Sequence, residues 1–145
     1  MTHPSDKRAY FFKIDTTIKK IRNALQKRFN EFALDITVDQ WVVIDHLHKH
    51  VGVSQNILSE MTTKDAPTIT RIIDLLVKKN LAERRMADDD RRKFNIFLTR
   101  DGNEVFERAL PLVQEIRRQG WGNLSQDDYQ HLVRIMDSIY KNFND

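Results

Sequence analysis

Asp88-Asp89-Asp90-Arg91-Arg92-Lys93 sets both signs of charge side by side in six residues. Three consecutive acids beside a polyanion repel it unless they are paired. The run therefore divides: one or two Asp hold Arg side chains, and Arg91 or Arg92 reaches a narrow minor groove, whose enhanced negative potential attracts arginine. Upstream, Thr70 and Arg71 are types that hydrogen-bond base edges, and arginine is the commonest reader of guanine. Ser54 and Gln55, at a helix start, suit phosphate through backbone N–H groups and side chains. His46 and His50 are spaced i, i+4 as a metal pair would be. With no acidic third ligand placed by the sequence, a surface histidine pair is the expectation. The chain has no Cys, which excludes disulfides, thiolate catalysis, thiolate zinc sites and cysteine redox sensing. A Gly-rich phosphate loop, a nucleophile elbow and H-E-x-x-H are absent, and no carboxylates pair into a recognisable acid–base site. The expectation is no enzyme, no cofactor and no metal.

These groups need rigid supports, and the apolar spacing supplies them. Phe11, Ile14, Ile18, Ile21, Leu25, Phe29 and Phe32 follow one another at threes and fours, predicting a long amphipathic helix from Asp6 to about Phe32. It is longer than one small core requires, and the excess stripe suits packing on another chain. Thr37 and Gln40 form a capping box before a helix that carries Trp41, Ile44 and Leu47 inward, with Gly52 placed to end it. Ser54 caps a short helix bearing Ile57, Leu58 and Met61, and Thr62-Thr63-Lys64 makes a polar turn. Asp65 caps the next helix, with Pro67 in its first turn. Its core stripe is Ile69, Ile72, Ile73 and Leu76, and Asn80 replaces Gly as its left-handed end.

After Leu81 the period changes. Phe94 to Leu98 is rich in β-formers and pairs with Leu81 to Arg85, leaving Met86 to Lys93 as a hairpin tip. Thr99 or Asp101 starts a helix to about Arg118, kinked at Pro111, and Gly120 and Gly122 break the chain around Trp121. Ser125 and Asp128 cap a last helix bearing Tyr129, Leu132, Ile135, Met136, Ile139 and Phe143. Four Gly and three Pro among 145 residues agree with long helices. No run approaches eighteen apolar residues and no signal peptide is visible, so a soluble, cytoplasmic chain without membrane contact is expected.

Two short helices joined by a tight turn and followed at once by a hairpin outline a winged helix-turn-helix. Its second helix, about 66–79, offers an outward face of Pro67, Thr70, Arg71, Asp74 and Lys78 to a major groove. Net charge is only +3, but its distribution is uneven. Residues 64–93 hold nine Lys/Arg against six Asp/Glu, and residues 1–36 hold eight against four. Such clustering is the footprint of a phosphate-binding surface.

The run Ser54 to Gly102 resembles the multiple-antibiotic-resistance-regulator (MarR) family of bacterial repressors. The marks are T-x-T-R at Thr68 to Arg71, K-K-N-L at Lys78 to Leu81, and the wing signature of Arg85, Asp90-Arg91-Arg92, Leu98-Thr99 and Gly102. The resemblance implies that Arg92 is the minor-groove arginine and Asp90 its structural partner, and that the first and last helices interlock as a homodimer. Leu75 and Val77 depart from the family's polar positions, giving this helix an apolar flank suited to packing on the wing. Without cysteine, the thiol-oxidation branch of that resemblance is closed. Control by a small molecule (aromatic or lipophilic and anionic), or no ligand at all, remains.

The combined expectation is a mainly α chain, 1–145 as a single domain. A winged helix-turn-helix lobe spans 37–99 with a two-stranded wing, and dimerisation arms span 6–34 and 100–145. Candidate double-stranded DNA contacts are Asp65, Pro67, Thr68, Thr70, Arg71 and Lys78 on the recognition helix. Ser54, Gln55 and Lys64 are the phosphate candidates, and Asp90, Arg91, Arg92 and Lys93 those of the wing. The function expected is a sequence-specific repressor on a pseudo-palindromic operator. The alternatives are a winged-helix module that binds ligand or protein without reading DNA, and a metal-responsive regulator using the histidines. Trp41, Phe11, Phe12 and Phe106 could line an effector pocket, though plain core is the commoner use of such spacing.

Overall fold

A computed structural model describes residues 9–144; Asp6, Lys7 and Arg8, at the expected start of the first helix, lie outside them. Six helices and three short strands follow in order: α1 (Ala9–Glu31), α2 (Val38–Lys49), β1 (Val53–Ser54), α3 (Gln55–Thr62), α4 (Ala66–Lys78), β2 (Ala82–Met86), β3 (Phe94–Leu98), α5 (Arg100–Trp121) and α6 (Gln126–Lys141). Among the described residues no helix is long and apolar enough to cross a membrane.

The core lies between α2, α3, α4, the hairpin, the C-terminal half of α1 and the middle of α5. Helix α4 shows how local signals and packing agree. Asp65 accepts the Thr68 N–H at 2.8 Å as N-cap, and Pro67 sits in the first turn. At the far end Asn80 adopts φ +62°, and the Leu81 N–H closes onto the Leu76 carbonyl at 2.8 Å. Between these ends Ile69, Ile72, Ile73 and Leu76 are all buried. Each such side chain contributes about 1.5–3 kcal/mol by leaving water, whereas an exposed ion pair contributes roughly 0–1 kcal/mol. The apolar stripe therefore holds α4, and the surface charges are left for other work.

The capping boxes expected at Thr37/Gln40 and Ser125/Asp128 are both formed. Thr99, rather than Asp101, caps α5. The hairpin pairs Ala82 with Leu98 and Met86 with Phe94, and the sheet order is β1-β3-β2, antiparallel throughout. The third strand is an addition to the expected two-stranded wing. It is only two residues long, too short to leave a periodic signal, and it pairs Val53 with Ile96 and Ser54 with Asn95.

Several local expectations change. In α3 only Leu58 is buried; Ile57 and Met61 are exposed, because a helix of eight residues presents a single residue squarely to the core. Helix α5 continues through Pro111 to Trp121, so Gly120 lies inside it, and Gly122 ends it. Leu75 and Val77 remain exposed instead of packing on the wing, since Ile72, Ile73 and Leu76 already occupy the face of α4 turned to the core. The turn between α3 and α4 places Thr63 at φ +52°, a conformation costly for a β-branched residue. It is held by the Lys64 N–H on the Ser59 carbonyl at 3.2 Å and by the Ser59 hydroxyl, which donates to the Lys64 carbonyl.

The arms are only partly used. Helix α1 buries Leu25 and Phe29, while Phe11, Phe12, Ile18, Ile21 and Phe32 are exposed. Helix α6 buries nothing, although Leu132, Ile135 and Met136 lie along one side of it. Trp41 and Phe106 are core, with stacked rings whose centroids are 5.4 Å apart. Phe11 and Phe12 therefore share no aromatic pocket with them.

Candidate nucleic-acid interface

Asp90 organises the wing tip. Its Oδ1 accepts the Arg92 backbone N–H at 2.9 Å and the Arg92 Nε–H at 3.3 Å. The first of these bonds, reinforced by the second, holds the Asp90 carboxyl below the usual aspartate range. A carboxylate that stays ionised keeps both bonds. Arg92 is thus fixed at its backbone, while its side chain stays 91% exposed. The Lys93 N–H on the Asp90 carbonyl and the Ala87 N–H on the Lys93 carbonyl complete the turn. Arg91 and Lys93 are exposed on either side. Arg85, another mark of the wing, lies over the Phe97 ring at 4.1 Å and pairs with Glu83.

Ser54 caps α3 by accepting the Ile57 N–H at 3.2 Å while pairing with Asn95 of β3. One residue thereby joins the α3 N-terminus to the wing. Between them Ser54, Gln55, Asn56, Arg92, Lys93 and Phe94 line a recess of about 80 Å³. A helix N-terminus carries partial positive charge, so the chemistry of this recess suits a small anionic group.

On α4, Pro67, Arg71 and Lys78 are exposed, and Arg71 makes no hydrogen bond or ion pair among the described residues. Asp65 is exposed, and its carboxyl is held below the ordinary range by the Thr68 backbone N–H first and the Thr68 hydroxyl second. Thr68 and Thr70 are half-buried. The Gln55 Nε2 donates to Thr70 Oγ1 at 2.7 Å. Arg84 of β2 gathers the same group: its Nη2 reaches the Thr70 carbonyl at 3.3 Å and Asp74 at 2.5 Å, and its Nε donates to Gln55 Oε1 at 3.4 Å. Sequence reasoning passed over Arg84. Its signal was alternation: along β2, Ala82 is buried and Arg84 falls on the same side two residues on.

Lys64 stands apart from the other candidates. Its ammonium lies 3.0 Å from Asp39 and its side chain is 23% exposed, so it is drawn towards α2. Asp39 also takes Arg22 at 2.6 Å. The two cations, Lys64 first, outweigh the cost of partial burial and keep the Asp39 carboxyl below its usual range. The His46 and His50 rings are 6.4 Å apart, and His46 Nδ1 lies 2.8 Å from the Val42 carbonyl. Among the described residues no group of three or more His, Asp or Glu side chains could hold a metal ion.

Residues 34–93 match the model of the MarR family. The uncharacterized HTH-type transcriptional regulator YhbI of Bacillus subtilis is 29% identical over 119 residues, covering 80% of this chain and 77% of YhbI. Over residues 34–93 the chain is similar to the MarR family. Among solved structures, a mutant MarR of Escherichia coli complexed with operator DNA has a TM-score of 0.83 at 23% identity, covering 95% of this chain and 99% of that one. Staphylococcus aureus MepR in complex with DNA has a TM-score of 0.80 at 22% identity, covering 94% and 96%. At those identities the two establish the fold, here the MarR winged helix. The MarR-matched span contains every candidate from Ser54 to Lys93. Helices α1, α5 and α6 lie outside it.

Proposed function

We propose that this chain is a homodimeric, sequence-specific DNA-binding repressor, a regulator and not an enzyme. The observation that carries the reading is the wing: an arginine fixed at its backbone by Asp90, with its guanidinium 91% exposed. Helix α4 would enter the major groove with Pro67, Thr68, Arg71 and Lys78 towards the bases, while Arg92 occupies the adjoining minor groove, flanked by Arg91 and Lys93. Thr70 and Gln55 would take part from within their shared bond with Arg84. The recess between the α3 N-terminus and Arg92 would seat a backbone phosphate. MarR and MepR, whose structures hold DNA, support this assignment.

Two recognition helices in successive grooves stand about 34–36 Å apart, so the operator would be pseudo-palindromic. The bare apolar sides of α1 and α6 support a second copy as the other half. Light scattering at micromolar concentration is expected to give the mass of a dimer, and a stable monomer would remove the arms from the reading. An effector acts only through differential affinity for two dimer geometries. An open groove of about 420 Å³ offers apolar Leu34, Ile36, Leu81 and Val105 beside Asp35, Arg108 and a Lys79 already held by Asp35 and Gln40, which suits a lipophilic small molecule.

The deciding experiment is a gel-shift titration of the wild type and Arg92→Ala on a duplex selected from a random pool. The substitution should weaken binding by about 1–3 kcal/mol without altering the melting curve. Equal affinity in the two proteins would take the wing out of the mechanism. A wild type that prefers no duplex would leave a winged helix that binds a ligand or protein.

A further inference from the structure

We propose that the start of α2 clamps both ends of α4, so that Lys64 and Lys79 act as positioning residues for DNA reading and not as phosphate contacts. The inference rests on the DNA-binding reading above. Lys64 directly precedes Asp65, the N-cap of α4, and its ammonium is bound to Asp39 Oδ1 at 3.0 Å. The same oxygen takes Arg22 of α1 at 2.6 Å. At the other end Lys79, the C-cap residue of α4, donates to Gln40 Oε1 at 3.0 Å and to the Asp35 carbonyl at 2.7 Å.

Asp39 and Gln40 are neighbours in the first turn of α2. They hold lysines that reach in from opposite ends of a helix roughly 20 Å long. Gln40 is the only buried polar side chain among the described residues. Its Oε1 also accepts the Thr37 N–H at 3.2 Å, so the group that caps α2 fastens α4 as well.

A lysine waiting for phosphate should project into solvent. Lys64 and Lys79 have side chains only 23% and 28% exposed, against 91% for Arg92. Each would have to abandon partners inside the protein to reach DNA. With Arg22 included, the chain of contacts runs from the arm α1 through Asp39 to the head of α4. Arm and reading helix are thereby held in one geometry, and half-site spacing depends on it.

The sign of charge makes the clamp testable. Removing the anion Asp39 adds net positive charge beside the DNA-facing surface, which by plain electrostatics tightens DNA binding. The clamp requires the reverse. On a duplex selected from a random pool by the wild type, Asp39→Asn and Lys64→Gln should each bind roughly three- to thirtyfold more weakly, and the double variant about as weakly as either alone. The slope of log K against log salt should stay at the wild-type value, whereas loss of a phosphate contact lowers it by about one. Tighter binding by Asp39→Asn, additive losses, or a lower slope for Lys64→Gln would each overturn the proposal.

Lys79→Gln tests the other end and leaves the Thr37–Gln40 cap intact. It should weaken binding at constant slope, and unchanged affinity would overturn the clamp there. It also serves if Asp39→Asn does not fold. Amide hydrogen exchange separates failure of the clamp from failure of the DNA reading. In the DNA-free protein the α4 amides should exchange faster in Lys64→Gln and Lys79→Gln than in the wild type, and unchanged exchange rejects the clamp. Absence of salt-dependent DNA binding by the wild type rejects the reading instead.

Discussion

Affinity for the selected duplex is expected to fall roughly 10³–10⁵-fold between 50 and 200 mM salt, the loss that accompanies neutralisation of about six to ten phosphates. The formal net charge of +3 would not suggest so steep a dependence. The relevant quantity is local: Arg71, Lys78, Arg91, Arg92 and Lys93 are exposed on α4 and the wing of each protomer, and a dimer doubles that set. Each phosphate contact releases condensed counterions, so log K falls linearly with log salt at a slope of about −0.9 per contact. The measurement is fluorescence anisotropy at four or five salt concentrations. A loss below about tenfold over that interval corresponds to so few contacts that the face described here could not be the one engaged. Of the three acids at the tip, Asp90 is committed to Arg92, while Asp88 and Asp89 are exposed and subtract from the local charge.

Gly102→Ala should destabilise the folded chain by about 3 kcal/mol. The reason is space. A Cβ at Gly102 would stand 2.0 Å from the Leu81 carbonyl oxygen and 3.2 Å from Leu98 Cδ2. The carbonyl cannot step aside freely, since it accepts the Thr99 N–H at 3.1 Å. Thr99 in turn donates its hydroxyl to the Asn80 carbonyl at 2.7 Å and caps α5 through the Gly102 N–H at 3.0 Å. Backbone from α4's end, β2, β3 and α5 meets at this one point, so any relief moves the wing. Urea melts should show the loss directly, and the thermal midpoint should drop by roughly 6–12 °C. Gly120 provides the contrast within the same helix: a Cβ there meets nothing within 4 Å, so Gly120→Ala should stabilise by up to about 1 kcal/mol. Equal behaviour of the two variants would refute the crowding argument at Gly102.

Legibility in the sequence tracked the range of the interactions. Caps are contacts across three residues, and Thr37, Ser54, Asp65 and Ser125 all act where their local pattern placed them. The stripe of α4 was equally plain, because Ile69, Ile72, Ile73 and Leu76 repeat with the helix. The Asp90–Arg92 pair spans two residues and belongs to the same class. What stayed hidden depends on residues far apart in the chain. Arg84 meets Gln55 across 29 positions, and Lys64 meets Asp39 across 25. The charge of Lys64 is visible in the sequence, whereas its pairing with Asp39 leaves no local signal. Strand β1 escaped because two residues have no period, and Gly120 looked like a break because composition does not record that a helix continues around it.

The double engagement of Ser54, as strand partner of Asn95 and as cap of α3, bears on the entropy of recognition. Ordering a loop at the moment of binding subtracts from affinity, and structure already present spares that loss. Here the wing root, the α3 N-terminus and the backbone of Arg92 are ordered when the chain folds, so the conformational cost falls on folding. What remains free is the guanidinium end of a few long side chains, mounted on a base whose backbone contacts are already made.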